Sequence, residues 1–77
     1  MGIKPKTLQK QFGLNVRKYR LKIGLSQEAL AHATGIDRSY IGKIERGESN
    51  ISIKKITQIS NILKVSPDKL FLLIPTS

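Results

Sequence analysis

Apolar side chains recur along this chain at helical spacing, and no stretch alternates in the manner of a strand. Leu8, Phe12, Val16, Tyr19 and Ile23 are separated by four, four, three and four residues, one stripe of a 3.6-residue period. The spacing predicts a first helix over 7–23, with Gly24 in the left-handed position that ends it. Leu14 and Leu21 fall away from this stripe and have no place in the pattern. A short second helix over 27–34 follows Ser26 as cap. Glu28 sits in its first turn, where the helix dipole favours a carboxylate, and Leu30 and Ala31 form its narrow inner face.

Gly35 breaks the chain again. Asp37 is placed to cap a third helix over 38–46, with Ile41 and Ile44 inward and Gly47 closing it. Ser52 caps a fourth, whose stripe is Ile53, Ile56, Ile59 and Ile62 or Leu63. Ser66-Pro67-Asp68 starts a fifth over 67–73, with serine as cap and proline at the first helical position; Pro75 stops it. The links are short, as in compact helix-to-helix connections. The expectation is an all-α, compact five-helix bundle forming one domain over 1–77, with residues 1–6 flexible.

The second and third helices carry the functional signal. Two short helices joined through a glycine turn form a helix-turn-helix, in which the second helix lies in the DNA major groove with its leading residues at the base edges. Ser26, small Ala31, Gly35, Ile36, Ile41 and Ile44 all fall in register for that arrangement.

Composition sharpens this. The 77 residues carry fourteen Lys and Arg against five Asp and Glu, a formal charge of +9, which points to a polyanionic partner. The excess lies outside the motif: residues 1–22 hold seven positive charges and no negative one, whereas 23–50 hold three positive and four negative. With no Cys, disulfides and thiolate metal sites are excluded, and the single His32 builds no metal site alone. The longest apolar run, Leu70 to Ile74, is five residues, far short of a membrane span, and no secretory signal is evident, so a cytoplasmic location is expected. The carboxylates form no pair flanking a scissile bond and the serines lack a base. No catalytic residue, metal, cofactor or small-molecule ligand is expected.

Over about residues 12–71 the chain resembles the phage-repressor/Cro-type helix-turn-helix family, with its lambda-repressor-like DNA-binding domain. The resemblance rests on Gly24-Leu-Ser-Gln-Glu-Ala-Leu-Ala31 and Ile41-Gly-Lys-Ile-Glu-Arg-Gly47. Within it, Ile36-Asp-Arg-Ser-Tyr-Ile41 and Glu45-Arg-Gly-Glu-Ser-Asn-Ile-Ser-Ile53 look most like the controller proteins of restriction–modification systems. The function this implies is sequence-specific binding of double-stranded DNA by a transcriptional regulator, repressor or activator, that meets a palindromic operator as a homodimer. An antitoxin binding both a toxin and operator DNA is the alternative.

Residue by residue, Arg38 on the first turn of the third helix is placed to set a guanidinium fork against guanine; the competing role is a solvated or Asp37-paired arginine. Ser39 serves a base edge or a phosphate. Tyr40 either joins the core with its hydroxyl toward a phosphate or lies on the sugar backbone. Gly42 reflects either close approach to DNA or an exposed site under little constraint. Lys43, Arg46 and Asn50 are expected on phosphates, and Arg17, on the basic outer face of the first helix, is placed to reach another. The resemblance assigns a phosphate to Gln27 and pairs Arg20 with Glu45 structurally. Leu70 to Ile74 is too apolar for one face of a seven-residue helix, so part of it is expected to cover a partner, with Ile51 or Phe71 joining. In the resembled controllers the late helices form the two-fold interface.

Overall fold

The structure, a computed structural model, describes residues 2 and 4–73. Four α-helices follow one another, α1 (Pro5–Lys22), α2 (Gln27–Thr34), α3 (Arg38–Glu45) and α4 (Ile53–Leu63), and a 3-10 helix (Pro67–Phe71) closes the described chain. No strand occurs among the described residues. α1 starts two residues earlier than its apolar stripe implies because Pro5, which has no N–H to lose, opens it.

The boundaries are set by local chemistry. Ser26 Oγ accepts from the Ala29 N–H at 3.0 Å, Asp37 Oδ2 from the Ser39 N–H at 3.0 Å and Ser52 Oγ from the Lys55 N–H at 3.2 Å, so α2, α3 and α4 each begin on a side-chain cap. Gly35, at φ 74°, ends α2 and makes the turn into α3. α3 stops at Glu45, with Arg46 as its C-cap rather than its last residue.

One core joins every element: Phe12 and Val16 of α1, Leu30 and Ala31 of α2, Ile36 of the turn, Ile41 and Ile44 of α3, Ile59 and Leu63 of α4, and Leu70. Tyr19, Ile56 and Ile62 pack half-buried against it, and two members of the expected stripes are exposed. Ile23 is 45 % exposed because it leaves the helix as C-cap, and Ile53 is 82 % exposed at the first position of α4, one turn before the packed stretch begins.

The expected fifth α-helix is instead a single 3-10 segment. Ser66 makes no side-chain cap bond there, and Leu72 returns to extended backbone at φ −66°, ψ 137°. The carbonyls of Leu70 and Leu72, which belong to the last turn and so have no intrahelical partner even in the expected helix, both accept from the buried Asn15 amide of α1, at 2.9 and 2.7 Å. The stretch from Ile74 to Pro75 lies outside the described residues.

α1 crosses the end of α3 at backbone contact. A β-carbon on Gly13 would sit 2.3 Å from the Ile44 carbonyl oxygen and 2.7 Å from that of Glu45, so only glycine lets the two helices approach this closely. Gly47, at φ 73°, seats the chain after α3 against the Lys10 backbone.

Candidate nucleic-acid interface

The pose of α3 is fixed by one buried ion pair. Arg20, near the end of α1, donates from Nε to Glu45 Oε2 at 2.6 Å and from Nη2 to Oε1 at 2.9 Å, while Nη1 caps the Leu25 carbonyl at 2.8 Å. Their side chains are 8 % and 3 % exposed. The Glu45 bonds hold the Arg20 guanidinium charged, its pKa raised further above the usual value. Gln27, the first residue of α2, adds a bond from Nε2 to Glu45 Oε1 at 3.1 Å. Three helices thus meet at one carboxylate. The Gln27 side chain, assigned to a phosphate by resemblance, spends an N–H on this junction; its backbone remains at the helix N-terminus.

With Ile41, Ile44 and Glu45 held inward, α3 turns Arg38, Ser39 and Lys43 to solvent, and its C-cap Arg46 is exposed beside them. The side chains of Arg38 and Lys43 make no hydrogen bond or ion pair among the described residues, so both charges are presented outward. Ser39 is more constrained. Its hydroxyl and its N–H both donate to Asp37 Oδ2, and these bonds, the hydroxyl's first, hold the Asp37 carboxyl below the usual carboxylate range. Only lone pairs of Ser39 Oγ then face outward.

Gly42, expected among the outward residues, is buried instead. The Arg46 guanidinium lies back across it, with Nη1 3.1 Å from where a β-carbon would be and Gln27 Oε1 3.9 Å away. Arg46 also pairs through Nε with Glu48 at 3.1 Å in an exposed contact. Gln27, Gly42 and Arg46 therefore form one cluster at the junction of α2 and α3.

Tyr40 and Asn50 belong to a second group. The Tyr40 hydroxyl donates to the Asn50 carbonyl at 2.7 Å, the Lys55 ammonium stands 4.4 Å above its ring, and Asn50 Oδ1 accepts from Gln9 Nε2. The loop between α3 and α4 is thereby braced against both α3 and the start of α1. Arg17 stands apart from both groups, exposed in a shallow furrow with Leu14, Lys18 and Leu21. The reading by periodicity missed Gly13, Asn15, Gln9 and Lys55. The isolated glycine and asparagine on the apolar side of α1 were the available signals for the first two.

No group of three His, Cys, Asp or Glu residues that would hold a metal ion occurs among the described residues, and no helix there is long and apolar enough to cross a membrane.

Comparison with known proteins bears on this geometry. A family model described as helix-turn-helix matches residues 16–70. The chain is 47 % identical over 60 residues to the control protein C.BamHI of Bacillus amyloliquefaciens, covering 77 % of this chain and 74 % of that protein. Among solved structures it is similar to the restriction-modification controller protein C.AhdI from Aeromonas hydrophila, with 43 % identity, a TM-score of 0.79, and coverage of 82 % of this chain and 96 % of that one. It is also similar to C.Esp1396I bound to a 25 base pair operator site, with 38 % identity, a TM-score of 0.73, and coverage of 83 % and 84 %.

Proposed function

The chain belongs to the helix-turn-helix family, and we propose on that footing that it is a sequence-specific transcriptional regulator of the restriction–modification controller kind. It binds double-stranded DNA as a homodimer on a two-fold operator. The observation that carries this is the outward row of Arg38, Ser39 and Lys43 on a helix whose opposite side is locked by Ile41, Ile44 and the Arg20–Glu45 pair. A helix so held enters the major groove in one orientation.

The contacts divide by chemistry. Arg38, outward on the first turn, forks onto guanine O6 and N7. Ser39, its hydroxyl hydrogen given to Asp37, accepts from a base amino group rather than donating to a phosphate. Lys43, Arg46 and the N-terminus of α2 at Gln27 hold phosphates, Asn50 and Tyr40 shape the loop that lies along the backbone, and Arg17 extends the basic track.

Two protomers follow from length. α3 has eight residues, about 12 Å of helix at 1.5 Å per residue. The relative's 25 base pair operator spans more than two turns of DNA, and reading helices of a two-fold dimer sit about 34 Å apart.

A mobility-shift titration on the DNA upstream of the protein's own gene tests this. A discrete complex containing two protomers, resistant to excess random duplex, is expected. Equal competition by random duplex would leave only charge-driven binding.

A further inference from the structure

Asn15 is 2 % exposed in the middle of α1, on the apolar side between Phe12 and Val16. An aliphatic residue would sit there without the cost of burying an amide, so the amide has a task. The two N–H groups of its Nδ2 are shared among three carbonyls, that of Gln11 at 3.0 Å and, across more than fifty residues of sequence, those of Leu70 at 2.9 Å and Leu72 at 2.7 Å. One turn away the Phe12 ring meets Phe71, centroids 5.0 Å apart and tilted by 40°. α1 therefore grips both the backbone and a side chain at the end of the 3-10 helix, from Leu70 to Leu72. The result is a fixed division: Leu70 is fully buried, whereas Leu72 and Leu73 are 58 % and 60 % exposed. In a 3-10 helix each residue turns by about a third of a circle. Slippage by one residue would withdraw part of that apolar surface and expose Leu70.

We propose that Asn15 is a positioning residue for self-association: its clamp on the Leu70 and Leu72 carbonyls holds Leu72 and Leu73 out toward a second copy of the chain. This rests on the dimeric reading above. Charge selects the occupant. Two copies each carry +9, and Lys4, Lys6, Lys10, Arg17, Lys18 and Lys22 are all exposed on or just before α1 with no carboxylate among residues 1–22, so the outer face of α1 repels its like. Residues 70–73 carry no charge and continue from Phe71, which lines an apolar furrow of about 220 Å³ with Leu8, Phe12, Ile51 and Ile56. That stretch itself brings no like charge to a second copy, its nearest cation in sequence being the exposed Lys69.

The test uses the full chain and compares Asn15→Leu, Leu72→Ser and the double variant by sedimentation equilibrium and amide exchange. Each single change is expected to raise the dimer dissociation constant at least tenfold. Asn15→Leu should also speed exchange at residues 70–73, and Leu72→Ser should not. In the double variant the loss should fall well short of the product of the two, because a released segment no longer presents Leu72. Affinity for random duplexes of about ten base pairs, one turn of DNA and too short for two reading helices, should be unchanged throughout. Wild-type dimerisation by Asn15→Leu, or losses that multiply in the double variant, would overturn the positioning role. A wild-type chain that stays monomeric at every concentration would overturn the dimeric reading itself. If Asn15→Leu does not fold, Asn15→Ser, which leaves one donor in place of two, is expected to give the same coupling at smaller amplitude, and full additivity there overturns the proposal equally.

Discussion

Glu45 is the residue on which most of the reading surface depends, because its two oxygens take both forks of Arg20 and the amide of Gln27 in a nearly dry site. Removing one partner of such a pair leaves a buried charge unmatched, a loss of about 3–5 kcal/mol, well above that of a surface pair. Arg20→Met should therefore lower the urea midpoint sharply, whereas Glu48→Gln, which breaks the exposed Arg46 pair, should barely move it. At the outer surface the proposed contacts of the two basic side chains of α3 can be told apart. Arg38→Ala is expected to cost about 1–3 kcal/mol on operator DNA and to relax base preference at one position per half-site. Lys43→Ala should weaken operator and random duplexes alike and reduce the slope of log affinity against log salt by about one. Titrations at several salt concentrations, on both kinds of duplex, check the pair of outcomes.

The helices themselves are held by two kinds of feature, and only one kind is visible in sequence. Caps are local: Ser26, Asp37 and Ser52 stand immediately before the helices they start, and the glycines at 24, 35 and 47 all have φ between 73° and 76°. These signals sit beside the structure they produce, so three of the four α-helices begin where patterning puts them. Gly13 and Asn15 answer to partners elsewhere in the chain, the backbone of α3 and the carbonyls of residues 70 and 72, and apolar periodicity has no means of marking them. The last turn likewise takes part of its hydrogen bonding from Asn15, a partner more than fifty residues away that local patterning does not mark. Gly13→Ala is the sharpest check. Alanine improves helix propensity by about 1 kcal/mol, yet its methyl would meet carbonyl oxygens at 2.3 and 2.7 Å. Net destabilisation of at least about 1–3 kcal/mol in denaturant melts is expected, with loss of DNA affinity as α3 shifts. At the start of α3, Asp37 titrates below the ordinary value of 3.8 in the fold, so its contribution is complete above that value and is lost as pH falls through the folded pKa. Asp37→Asn should remove that acid-side dependence from amide exchange in the first turn of α3.

Across the whole molecule, charge and recognition are separated. The motif region, residues 23–50, carries a net −1, while the flanks carry the remaining +10. On the proposed reading the flanks supply attraction to the duplex, and a nearly neutral unit supplies shape and hydrogen bonds. The place of α3 and the Arg20–Glu45 brace were legible because the resemblance carried by residues 24–31 and 41–47 implies both. The fate of individual side chains was not: Gln27 bonds to Glu45 across the α2–α3 junction, Gly42 lies under the Arg46 guanidinium, and the Tyr40 hydroxyl is spent on the Asn50 carbonyl, all contacts set by packing around α3. Selection of bound sites from a pool of random duplex DNA tests the central claim most directly. The expected outcome is enrichment of a two-fold symmetric site, with half-sites centred about 34 Å apart or a multiple of that, each containing a guanine whose preference vanishes in Arg38→Ala. A pool that emerges without enriched sequence, or with a single unpaired half-site, would contradict it.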